Sequence, residues 1–237
     1  MVSDNATLAG LRDQLRGDSL KQQLSAVHEL VASGEEGLQV LTSTLLERQG
    51  SQATVLDGKI FQVLAAVPQA EVQAFLAQHW PQGRIEMPSA QGIDYGLLQD
   101  YLVKQEFQAA DKLTLEKLCE LAGPEAVRRK WVYFTEVDQF PSLDLQTIDR
   151  LWLNYSEGKF GFSVQRRLWL SLGQNWDKLW PRLAWKDDNI WTRYPTGFIW
   201  DLSAPDGHLP LSNQLRGVRM MAALLAHPAW ESEAREA

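Results

Sequence analysis

Leu20, Leu24, Val27, Leu30 and Val31 fall at i, i+4, i+7, i+10 and i+11, so one apolar stripe runs along a 3.6-residue period. The same period recurs through Leu38, Leu41 and Leu45, and through Val55, Phe61, Val63 and Leu64. A chain with this pattern must bury helical faces, because the alternation that a half-buried strand needs is missing. Gly34, Gly37, Gly50 and Pro68 interrupt the pattern, which predicts four or five short helices between residues 8 and 79. Short connections place them antiparallel in a small bundle.

The run Pro81-Gln82-Gly83-Arg84, followed by Pro88-Ser89-Ala90-Gln91-Gly92, breaks all periodicity. Residues 1–80 are therefore expected to form an amino-terminal helical bundle, 81–90 a linker, and 91–237 a larger all-helical domain. In the second part, helices are expected after Asp94, with Leu97, Leu98, Tyr101 and Leu102 inward, and from about Glu106 to the stop signal Gly123-Pro124. Others are expected over 143–156, 163–172, 175–183 and 211–225, with Ser163 capping the helix that begins there. Val132 to Phe134 can form a short extended piece, but nothing supports a sheet. The fold class expected is all-α.

Aromatic residues divide the chain unequally. Seven of its ten tryptophans lie between Trp152 and Trp200, whereas residues 1–79 contain only Phe61 and Phe75. Charge divides it too: the molecule carries −7 overall, yet from Lys159 to Arg219 nine Lys or Arg face five Asp or Glu. Within that stretch, Trp185 to Pro210 holds Pro195, Gly197, Pro205, Gly207 and Pro210 and shows no sustained pattern, so a long loop is expected. It carries Trp191, Tyr194, Phe198 and Trp200, and directly after it Asn213, Arg216 and Arg219 recur every third residue. Aromatic surface beside fixed cations suits a flat, apolar, anionic ligand. A tryptophan-rich core with a solvated rim is the competing reading.

Several function classes are excluded on the residues. No Gly-x-Ser-x-Gly, HExxH or Walker sequence occurs, and the four histidines stand far apart with no second ligand at metal spacing. The single cysteine, Cys119, forbids an internal disulfide and sits in a helical core pattern. Asp187-Asp188 reads as a turn. The overall acidity argues against nucleic acid despite the aromatics. The start Met1-Val2-Ser3-Asp4-Asn5 has neither a basic nor an apolar leader region, and no apolar run reaches spanning length. A cytoplasmic location is expected, with partial attachment to a thylakoid or plasma membrane through the aromatic, locally basic surface.

Five short segments carry a family resemblance: Gly92-Ile93-Asp94-Tyr95, Leu118 to Gly123, Tyr133 to Val137, Phe160 to Arg167, and Gly207 to Leu211 followed by Asn213 to Gly217. Together they resemble the Genomes Uncoupled Four family over about residues 90–230. The amino-terminal part is similar, less specifically, to the extra domain of cyanobacterial members. The resemblance implies a non-enzymatic all-α protein that binds protoporphyrin IX and magnesium protoporphyrin IX. It also implies stimulation of magnesium chelatase, in chlorophyll synthesis, through that enzyme's large porphyrin-binding subunit. The family's binding region maps onto Phe134, Val137, Phe162, Trp191, Tyr194, Phe198, Asn213, Arg216 and Arg219. Tyr194 stands where some relatives have Trp or Phe, and the position of Arg219 is not basic in all of them. His208 is weighed as an axial ligand against a turn role, and the turn role is preferred. The alternative to porphyrin binding is a helical scaffold whose aromatic groove takes a partner helix.

Overall fold

The structure, a computed structural model, describes residues 2–211 and 218–231. They divide into two compact units, Met1–Glu86 and Met87–Ala237. The first holds α1 (Val2–Arg16), α2 (Leu20–Ala32), α3 (Glu35–Glu47), α4 (Val55–Ala65) and α5 (Ala70–His79). The second holds α6 (Gly96–Val103), α7 (Phe107–Ala122), α8 (Pro124–Arg129), α9 (Phe134–Val137), α10 (Ser142–Tyr155), α11 (Phe162–Ser171), α12 (Trp176–Arg182) and α13 (Val218–Ala226). The all-α expectation holds; the one addition is a two-residue hairpin, β1 (Lys186–Asp187) with β2 (Ile190–Trp191), turning through Asp188 and Asn189.

In the first unit the buried face of α2 is Ala26, Val27 and Leu30, narrower than the sequence stripe, since Leu20 and Val31 are exposed. These residues pack on Leu38, Leu41 and Leu45 of α3 and on Leu56, Ile60 and Leu64 of α4. Gly37 permits the α2–α3 approach: a Cβ there would stand 1.8 Å from the Leu30 carbonyl oxygen. A buried ion cluster closes one end. Arg48 grips Asp57 through two hydrogen bonds of 2.9 and 3.0 Å, Thr54 N–H donates to the same carboxylate, and Arg84 reaches the carbonyls of Arg48 and Ser51. Burial drives the Asp57 carboxyl upward, but the bonds from Arg48 and Thr54 outweigh it and hold the group below its ordinary range.

Residues 81–90, read as a linker, are held by their own units. Arg84 and Ile85 are buried in the first. In the second, Ser89 Oγ and Ala90 N–H donate to Asp144, and Thr147 Oγ1 donates to the Pro88 carbonyl.

The second unit is built around α10. Its residues Leu145, Ile148, Leu151, Trp152 and Tyr155 are wholly buried. They face α6 and α7, where Trp152 Nε1 donates to Thr114 Oγ1 and Tyr155 donates to Gln99 Oε1. Phe107 lies parallel to Trp152 at 6.0 Å and edge-on to Phe160 at 5.4 Å. Two local expectations are corrected. Leu97, expected inward, is 51% exposed. Ser163 does not cap α11: its N–H donates to the buried Asp149 carboxylate, reaching across from α10, so a tertiary contact supplies the acceptor. Gly161, at φ 136°, lies against that oxygen, where a Cβ would approach to 2.7 Å.

The long loop is folded onto this core by buried polar contacts. His208 is fully buried: Ile199 N–H donates to its Nε2 at 3.1 Å, so the ring proton is on Nδ1, which donates to the Leu183 carbonyl at 2.6 Å. Trp185 Nε1 donates to the His208 carbonyl, and Gln165 Nε2 donates to the carbonyls of Gly207 and Pro210. Asp111 of α7 then accepts the Leu211 N–H at 2.6 Å. Tyr194-Pro195 and Leu209-Pro210 are cis.

Gly161→Ala is expected to destabilise the protein by about 3 kcal/mol, combining a disallowed backbone region with a displaced carboxylate. Chemical denaturation measures it.

The buried titratable groups set opposite pH slopes. Burial depresses the His208 pKa, so the unfolded chain takes up a proton that the folded ring refuses, and stability falls as pH drops below about 6.5. Burial raises the Asp111 carboxyl to about 7, against the Leu211 bond, so its contribution declines as pH climbs from about 4 to 7. Asp111→Asn keeps an oxygen acceptor for Leu211. It is expected to match the parent near pH 4 and to exceed its stability by roughly 4 kcal/mol at pH 8, read from denaturation midpoints.

Candidate functional site

Tryptophans organise one side of the second unit. Trp169, Trp176, Trp180 and Trp185 follow one another at 5.0, 5.1 and 5.8 Å between ring centres, and Trp191 joins Trp180 at 5.6 Å. Trp185 and Trp180 are core, packed with Leu179, Leu183, Phe198, Met221 and Leu225. Trp169 and Trp176 are only partly buried against that core. The ladder thus leads from the interior outward to the hairpin.

At its outer end stand exposed groups. Trp191 is 38% exposed, faces Lys186 across the hairpin, and has the Lys186 ammonium 5.6 Å from its ring centre. Tyr194 is 47% exposed and sits edge-on to Trp200 at 5.8 Å. Burial and the Asp111 carboxylate push its hydroxyl up, against a hydrogen bond with the Gln108 side chain. Tyr194 and Trp200 also wall an open groove of about 400 Å³ with Phe107, Gln108 and Lys112 of α7. On the same unit, α13 packs on α9 and sets the Arg219 guanidinium 5.4 Å from the ring of Phe134, which is 40% exposed. An accessible aromatic face next to a cation occurs at both places.

The residues expected from sequence therefore separate. Phe134, Trp191, Tyr194 and Arg219 are accessible, whereas Val137, Phe162 and Phe198 are buried. Phe162 packs near Trp230 at 6.4 Å, and Phe198 lies between Trp200 and the His208 ring. Asn213 and Arg216 lie outside the described residues.

Lys186 and Gln108 escaped the sequence reading. Asp187-Asp188-Asn189 is a turn signal that could have revealed the hairpin and hence the Lys186–Trp191 pairing. Gln108 is 86 positions from Tyr194, and no local signal links them.

Chemically, the arrangement presents accessible aromatic faces beside cations, which suits binding of a flat anionic ligand. Both ring nitrogens of His208 are committed to the backbone, which removes it as an axial ligand. Among the described residues no group of three His, Cys, Asp or Glu could hold a metal ion, and no helix is long and apolar enough to cross a membrane.

A family model described as GUN4-like matches residues 88–228, and one described as ARM-like repeat domain, GUN4-N terminal, matches residues 1–81. The chain is 50% identical over 230 residues to the Ycf53-like protein of Synechocystis, covering 97% of this chain and 98% of that one. It is 37% identical over 145 residues to the Arabidopsis thaliana protein named tetrapyrrole-binding protein, chloroplastic, covering 57% and 55% of the two chains. The structure of GUN4 from Chlamydomonas reinhardtii superposes with a TM-score of 0.59 at 42% identity, covering 62% of this chain and 94% of that one. Ligand-free Arabidopsis GUN4 gives 0.54 at 36% identity, covering 60% and 99%. With two family models spanning both units and a half-identical relative matched along nearly its whole length, this chain belongs to the GUN4-like family, in its cyanobacterial type with the ARM-like amino-terminal domain.

Proposed function

We propose that the second unit binds protoporphyrin IX and magnesium protoporphyrin IX without transforming them. In doing so the protein stimulates magnesium chelatase through that enzyme's large porphyrin-binding subunit. The observation that carries this reading is the set of exposed aromatic rings, Phe134, Trp191 and Tyr194, with Arg219 and Lys186 beside two of them. The name of the Arabidopsis relative supports the ligand class. Apolar macrocycle surface removed from water contributes roughly 25 cal/mol per Å² before the cost of immobilising the ligand. Cations fix orientation by meeting the propionates.

In this reading Phe134, Trp191 and Tyr194 contact the macrocycle. Val137, Phe162 and Phe198 hold the supporting wall, Asn213 and Arg216, which follow the loop in sequence, contribute polar contacts to the ligand, and Arg219 orients Phe134. Magnesium at the centre of a flat ligand needs no side-chain ligand, so the free base and the magnesium form fit the same surface. If assembly with this protein changes chelatase affinity for porphyrin, porphyrin changes chelatase affinity for this protein by the same factor. A non-catalytic role without nucleic-acid binding and a cytoplasmic setting with peripheral membrane contact complete the proposal.

Titration with protoporphyrin IX is expected to quench tryptophan fluorescence and shift the porphyrin absorption band, with less quenching in Trp191→Phe. Arg216→Ala is expected to weaken binding of the dicarboxylate about tenfold, as loss of a charge-assisted contact does, and to leave the dimethyl ester unaffected. Unchanged fluorescence together with an unshifted band overturns the porphyrin reading. Capture of the chelatase subunit without porphyrin binding supports the scaffold reading instead.

A further inference from the structure

We infer that the first unit carries a docking groove for a basic amphipathic helix, a role separate from porphyrin binding and independent of it. α4 packs on both α3 and α5, and between the latter two lies an open groove of about 510 Å³. Glu35, Leu38, Gln39 and Thr42 line it from α3, at i, i+3, i+4 and i+7, which is one helical face over two turns. Ala70, Glu71, Val72 and Phe75 line it from α5. The volume is within the roughly 300–1,000 Å³ of ligand clefts. Phe75 is half-buried and continues into His79 and Trp80 at 4.8 and 5.7 Å, extending the apolar wall along α5.

Two observations select the occupant. The first is charge: the groove is lined by two carboxylates and no Lys or Arg, and among the described residues no ion pair engages Glu35 or Glu71. Residues 1–80 carry nine acids against five bases, so the surrounding field has the same sign. Each glutamate also sits in the first turn of its helix, where it complements the helix dipole; that local benefit does not require both to face one groove. The second is backbone chemistry. The walls are helices whose peptide groups are already paired, so an extended segment would find no ladder partner, whereas a helix satisfies its own backbone. The fitting partner therefore presents apolar anchors at i, i+3 or i+4, and i+7, flanked by Lys or Arg.

The test is selection of displayed random 15-residue peptides on the intact protein, with the double variant Glu35→Gln, Glu71→Gln as counter-target. Both glutamates are exposed, and unchanged circular dichroism and thermal midpoint show that the variant is folded. Enriched peptides are expected to be net positive with apolar residues at helical spacing. One such peptide, labelled for anisotropy, is expected to bind the double variant at least tenfold more weakly and to weaken with added salt. Phe75→Ala is expected to reduce affinity for the same peptide. No enrichment, enrichment of neutral or acidic peptides, or equal affinity for the parent and the double variant overturns the proposal. Porphyrin titration of the same variant stays unchanged, which separates this outcome from failure of the ligand reading.

Discussion

The conformation of residues 183–211 depends on one buried ring. His208 takes the Ile199 N–H on Nε2 and gives its Nδ1 proton to the Leu183 carbonyl, so a single neutral imidazole ties the end of α12, the middle of the loop and its return. A long segment without helical hydrogen bonds can enter a core only if its backbone groups find such partners. Gln165 and Trp185 supply more of them, and Asp111 does the same one step later at Leu211. With the backbone pinned, Phe198 can be buried while Trp191 and Tyr194 on the same loop stay accessible.

This division explains how an aromatic-rich domain can remain both stable and receptive. Trp152, Trp180, Trp185 and Trp230 fill interior space beside α10 and α12, and Trp191 leans on the buried Trp180 at 5.6 Å. A ring held from behind loses little further freedom when it meets a flat ligand, which is the benefit of a preorganised surface. The cations next to it come from different elements, Lys186 by strand pairing and Arg219 by packing of α13 on α9. The amino-terminal unit is held differently, with aliphatic contacts, a buried Asp57 carboxylate paired with Arg48 and Arg84, and a groove that its own helices leave open.

The helices were legible because a 3.6-residue apolar period has few other uses, and Gly123-Pro124 and Asn175 marked ends by local chemistry: α7 stops at Ala122, and Asn175 accepts the Lys178 N–H. Ser163 misled because its local signal for a cap was genuine, but Asp149 from another helix occupies that role. Leu97 misled in the same way, since an apolar residue within a helical period carries no label for the side that a neighbour will cover.

By itself the sequence determined that the chain is helical, where most helices lie, and which loop concentrates aromatic residues, since each of these depends on neighbours within a few positions. Tertiary structure alone decided that Phe198, Phe162 and Val137 face inward while Phe134, Trp191 and Tyr194 face outward. It likewise decided that His208 is a neutral pin, and that Gln108 meets Tyr194 and Lys186 meets Trp191. Outside regular helices the direction of a side chain is set by which distant backbone groups anchor the loop, and partners such as Gln165, Asp111 and Leu183 leave no periodic trace in the residues they hold.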